Sequence, residues 1–142
     1  MFFLLRRLSF FPILGRFFSL IYRVYNLIYG ASIPLSVVID KSTKFPHGIH
    51  GIFISKEAKL EKDITIFHQV TIGSNQLYKH QMFGAPVIGN RCILGVGAKI
   101  IGNVKLGDDV IVASNTSISR DVEANHTVVP ARNRVLKHKK II

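Results

Sequence analysis

Cysteine is almost missing from this chain of 142 residues: Cys92 stands alone. That excludes an intrachain disulfide framework and a four-cysteine zinc site, and makes a reducing, cytoplasmic location the default expectation. Acid is scarce too, and unevenly so. The formal net charge is +11, from 19 Lys/Arg against 8 Asp/Glu. Residues 1–35 hold Arg6, Arg7, Arg16 and Arg23, and residues 132–142 hold Arg132, Arg134, Lys137, Lys139 and Lys140, with no acid in either stretch. Four and five make nine of the excess charges, so the middle, ten bases against eight acids, is left at +2. Basic and aromatic residues do not interleave as they do in single-strand binders, and nucleic acid falls to a minor reading. Long hydrophobic runs are lacking as well. Before Arg23 the longest uncharged stretch is Leu8 to Gly15, far short of the roughly 18 apolar residues of a membrane span. Arg16 also falls where a secretory signal has to be apolar.

What is present in residues 1–30 is an amphipathic helical segment. From Leu14 onward Arg16, Ser19, Arg23 and Asn26 recur at helical spacing, which predicts one narrow polar stripe on a cylinder rich in Phe and Tyr. Such a cylinder calls for apolar cover. The inner face of a membrane, where arginines meet anionic lipid, is one source; a protein surface, including one end of the chain's own core, is the other.

From Ile33 onward aliphatic residues, with one Phe, recur every six positions: Ile33, Ile39, Phe45; Ile54, Leu60, Ile66, Ile72; Ile88, Leu94, Ile100, Leu106, Val112, Ile118. Four residues after many of them comes a second small or branched residue, at Ala58, Ile64, Val70, Cys92, Ala98, Val104, Val110 and Thr116. Neither a helix nor an alternating strand has this period. Each hexapeptide reads as a short strand plus a corner, and stacked coils share one continuous interior. The fold expected is therefore all-β, a parallel β-helix behind the helical segment, with residues 31–131 as its domain and residues 132–142 as a basic tail. Cys92 falls on an interior position.

The period slips twice. Nine residues separate Phe45 from Ile54 across "FPHGIHGIFIS", and sixteen separate Ile72 from Ile88. The second slip, residues 74–86, reads as an extruded loop. If three hexapeptides make a turn, Phe45 and Ile66 stack on one face, which sets His47 and His68 at equal offsets on adjacent rungs, about 5 Å apart at the backbone.

The stretches "TIFHQVTIGS", "PVIGNRCILGVGAKIIGNVKLGDDVIVASNTSISRDV" and "TVVPAR" resemble the hexapeptide-repeat acetyltransferases, most closely the serine acetyltransferase-like branch. The resemblance covers roughly residues 31–135. It implies a left-handed β-helix, a homotrimer, and acetyl-CoA bound as co-substrate in a groove between subunits, with no metal required. It also implies a histidine general base at His47, with His50 as competitor across the slip, and an upstream carboxylate whose position is taken by Ser32. His68, Asp40 or Glu57 are the candidates to replace that carboxylate. For acetyl-CoA it points to Gly73, Ser74, Gly97, Ala98, Lys99, Ala113 to Asn115 with Ser114 between, and Arg132 and Arg134 for phosphates.

The chemistry fits these residue types. Moving an acetyl group from a thioester to an alcohol needs a base near neutral pH, which imidazole supplies, and an oxyanion donor, for which Gly48 and Gly51 are candidates. Three readings compete for the site. The leading one is O-acetylation of a sugar hydroxyl in a surface polysaccharide. It rests on the short helical segment and on Gly84 and Ala85, which stand where serine acetyltransferases carry an Arg-His pair. Serine O-acetylation is the alternative. A zinc site of His47, His50 and His68 is a minor third. His80 is expected in the loop, solvated or touching substrate.

Overall fold

The computed structural model describes residues 1–11, 14–79 and 81–131. Its body is a stack of short parallel strands on three faces. The first face stacks β2 (Phe53–Ile54), β5 (Thr71–Gly73), β8 (Lys99–Ile101) and β11 (Ser117–Ile118). The second stacks β4 (Thr65–Ile66), β7 (Ile93–Leu94), β10 (Ile111–Val112) and β12 (Thr127–Val128), and the third stacks β3 (Lys59–Leu60), β6 (Val87–Ile88) and β9 (Lys105–Leu106). The register explains the sequence period. Ile54, Ile72, Ile100 and Ile118 lie on one another, as do Ile66, Leu94 and Val112, and Leu60, Ile88 and Leu106. These side chains are buried, as is the second series from Ala58 to Thr116. Each buried Ile or Leu contributes about 1.5–3 kcal/mol, and a residue of another kind at a sixth position would open the column. Cys92 is interior as expected, its thiol 3.2 Å from the Gly107 carbonyl and pushed up in pKa by burial.

Corners require the backbone to reverse its hand locally. One corner column consists of Gly51, Gln69, Gly97 and Asn115, and another of Asp63, Arg91, Asp109 and Asn125, all at φ between 56° and 67°. Left-handed backbone costs a non-glycine residue about 1–2 kcal/mol, so the corners are held by hydrogen bonds between rungs. The N–H of Asn125 donates to Asp108 O and that of Asp109 to Asn90 O, each at 2.9 Å. Arg91 donates to both Asp109 carboxylate oxygens at 2.8 and 2.6 Å, which keeps that carboxyl below its ordinary range.

The N-terminal segment forms two helices, α1 (Phe2–Ser9) and α2 (Gly15–Ile28), which close one end of the stack. Phe2 and Phe3 pack on Phe45 with ring centroids at 5.2 and 6.2 Å. The Tyr22 hydroxyl donates to Ile33 O at 2.8 Å, and Asn26 accepts from Ile33 N–H at 3.2 Å while donating to Tyr22 O. The expected polar stripe is therefore divided: Asn26 is buried and bonded to the first coil, while Arg16 and Arg23 are exposed. Asn26 turns inward because the open edge of the first coil offers it an unpaired backbone group, which helical periodicity alone does not reveal. The second slip is a loop pinched at its neck, where Asn75 and Gly84 exchange both backbone hydrogen bonds, at 2.8 and 3.0 Å.

Candidate active site

One histidine of the first slip, His47, meets His68 of the next rung at the corner between the second and first faces. Lys44 bridges Thr65 in parallel, so Phe45 stacks on Ile66 and the chain enters the slip in the expected register. The three extra residues then let β1 (Pro46–Ile49) bulge. On the far side the rung resumes with Gln69 N–H donating to His50 O at 2.8 Å, just as Gly97 N–H donates to His68 O one rung on. By backbone register His50 is thus the counterpart of His68. By side chain it is not: the His50 ring packs on Tyr29 at 4.5 Å. It is His47 whose ring stands 5.3 Å from that of His68, nearly perpendicular at 89°, with Phe67 at 5.8 Å on its other side. His47 is exposed and His68 half-buried, and His68 Nδ1 is buried with no hydrogen-bond partner. An orphaned buried ring nitrogen costs about 1–3 kcal/mol unless a substrate, a water or the neighbouring imidazole meets it.

Other expected site residues are placed differently. Ser32 bridges Phe53 on the first face, past the corner that carries His47, and lines a groove with Thr71 and Gly73. Asp40 is engaged by the amide and hydroxyl of Ser42, at 2.9 and 2.7 Å, and Glu57 by the Ser55 hydroxyl at 2.5 Å. These local bonds hold both carboxyls below their ordinary range. Gly48 and Gly51 do not offer oxyanion donors, since their N–H groups already donate to Phe45 O at 3.0 Å and Tyr29 O at 2.9 Å. The glycines serve the bulge instead, at φ +67° and +63°. Gly73 and Ser74 line the first-face groove. Gly97 and Ala98 are buried in the corner, and Lys99 is exposed with its ammonium donating to Gly97 O at 3.2 Å. Ala113 is half-buried and Ser114 exposed on the rung above. His80, Arg132 and Arg134 lie outside the described residues. Among the described residues no three His, Cys, Asp or Glu side chains converge to hold a metal, because Tyr29 draws His50 aside. Tyr29 is the site residue the sequence reading missed. Its signal is position: it is the last aromatic before the chain enters the first coil.

Residues 85–120 match the family described as bacterial transferase hexapeptide (six repeats). Together with the stacked rungs, this defines the protein as a hexapeptide-repeat protein of the left-handed β-helix class. The chain is 32% identical over 111 residues to a serine acetyltransferase of Helicobacter pylori (strain J99), covering 78% of this chain and 63% of that protein. It is likewise 32% identical over 107 residues to a serine acetyltransferase of Mycobacterium tuberculosis, covering 75% and 43%. Serine acetyltransferase 1 of Entamoeba histolytica, solved in complex with L-cysteine, superposes with a TM-score of 0.67 at 25% identity, over 80% of this chain and 44% of that one. The chain is similar to the hexapeptide-repeat acetyltransferases of the serine acetyltransferase-like branch. It spans less than two thirds of the length of the relatives it matches.

These relatives correct the expectation of a polysaccharide acceptor, since they are serine acetyltransferases. One of the features that favoured a sugar, Gly84 in place of a large side chain, has another cause. Gly84 has φ +128°, and a Cβ there would meet Asn103 Cβ at 3.2 Å, so the loop neck itself demands glycine.

Proposed function

We propose that this protein transfers the acetyl group of acetyl-CoA to the hydroxyl of serine, as a homotrimer with His47 as general base. The observation that carries this reading is the exposed His47 imidazole set edge-on to His68 at 5.3 Å. His47 takes the hydroxyl proton as the serine oxygen attacks the thioester carbonyl. The tetrahedral intermediate then collapses, the C–S bond breaks, and the departing thiolate recovers the proton from the imidazolium. His68 acts as a positioning residue that fixes the His47 ring, the office a carboxylate holds where one stands in place of Ser32. The small residues Gly73, Gly97, Ala98 and Ala113 give the pantetheine arm a close approach to backbone, and Lys99 stands at the rim for phosphate. The subunit seam runs along the second face, where Ile93 and Ile111 lie on one another and are 38% and 40% exposed.

The test follows free thiol released from acetyl-CoA in the presence of serine. His47→Ala is expected to lower kcat by about 10²–10⁴. His68→Gln is expected to lower kcat about tenfold and to move the pH–rate profile with KM little changed, which a purely structural role would not do. No thiol release with serine, or full turnover by His47→Ala, overturns the reading.

A further inference from the structure

We propose that the outward face of the two N-terminal helices docks on an anionic membrane surface, lying in the headgroup region without crossing it. The inward side of α2 is spent on capping the stack through Tyr22 and Asn26. The opposite side carries Phe17, Leu20, Val24, Leu27 and Ile28, spaced as one helical stripe, and they are 59%, 59%, 47%, 79% and 74% exposed. Phe10, Phe11 and Leu14, between the helices, are exposed as well. So much bare apolar surface on so short a segment marks an interaction site.

The rim of this face says what covers it. Arg16 and Arg23, one heptad apart, line a groove of about 610 Å³ with Ser9, Ser19, Phe11 and Leu20. Two guanidinium groups and two serines beside two apolar side chains suit a lipid phosphate whose acyl chains leave along Phe11 and Leu20. Charge separates this occupant from a second copy of the chain. Residues 1–35 contain no Asp or Glu, so two such faces related by a two-fold axis would bring arginine against arginine with no acid between them. Anionic lipid attracts each arginine instead. Among the described residues no helix is long and apolar enough to cross a membrane, which leaves an interfacial position.

The experiment sediments the full chain with phosphatidylcholine vesicles and with vesicles that also contain phosphatidylglycerol. Partition onto the anionic vesicles alone, weakening as salt rises, is expected. The Arg16→Gln/Arg23→Gln pair is expected to bind roughly thirtyfold more weakly, about fivefold for each arginine, with unchanged circular dichroism. Leu20→Ser/Leu27→Ser, at two exposed positions, is expected to lose binding too. Equal partition onto both vesicle types, or undiminished binding by the arginine variant, overturns the proposal. Growth of the particle without vesicles, reversed by the leucine variant, assigns the face to a second copy and overturns it as well.

Discussion

Arg6 and Arg7 are neighbours with opposite surroundings. Arg7 is exposed, whereas the Arg6 guanidinium is buried and donates to the Tyr22 hydroxyl at 3.1 Å, to Pro34 O at 2.9 Å, to Leu35 O at 3.1 Å and to Val37 O. It also stands 5.6 Å from the centroid of the Phe2 ring. One side chain thereby pins α1 to the strandless start of the first coil. Arg6→Ala takes the guanidinium donor from the Leu35 and Val37 carbonyls and leaves Pro34 O only the Val37 N–H at 3.3 Å, and is expected to lower the unfolding free energy by about 2–4 kcal/mol. Arg7→Ala is expected to stay within about 0.5 kcal/mol. Urea unfolding of both variants checks the contrast. The sequence counts both arginines alike among the basic excess, because charge counting carries no record of which carbonyls a fold leaves without partners.

At the scale of elements the interior columns were legible, since a parallel stack repeats one environment at fixed offsets and so imposes one residue type on it. The His47–His68 meeting was legible for the same reason: equal offsets from Phe45 and Ile66 translate directly into adjacency. What happens inside the slip was not. The sequence leaves His50 standing as a competitor across the slip, and what it does not show is that the His50 ring packs on Tyr29 at the end of α2. The loop shows a similar dependence on distant parts. Its Met82 carbonyl accepts from Asn103 N–H at 3.0 Å and passes so close to Gly102, at φ +90°, that a Cβ there would lie 2.7 Å from the carbonyl oxygen. Gly102→Ala is therefore expected to cost about 1–3 kcal/mol and to free the loop. The checks are a lower melting temperature and faster protease cleavage within residues 75–84, with the rungs still intact by circular dichroism.

On the scale of the whole molecule, one end of the stack is closed by helices and one flank is left apolar. Ile93 and Ile111 point outward from neighbouring rungs of the second face, and the proposed trimer covers them. Because Ile111 is already 40% exposed in the single chain, Ile111→Glu leaves that chain unstrained but places a charge in the seam, where burying it unpaired costs several kcal/mol. Analytical ultracentrifugation is expected to show monomers of unchanged circular dichroism, and thiol release is expected to fall with the loss of trimer. A trimer that persists in this variant moves the seam to another face.

The loop neck has a consequence for what this architecture tolerates. Asn75 and Gly84 bond to each other as neighbours in a hairpin would, so the chain leaves its coil and returns to the same place however many residues it spends outside. The rungs before and after keep their register across the excursion, and Met82 O, held by Asn103 N–H, gives the loop a second anchor just inside the neck. A change of length confined to the stretch between Asn75 and Met82 is therefore expected to leave the histidine corner in register, because neither the neck nor the Met82 anchor has to move.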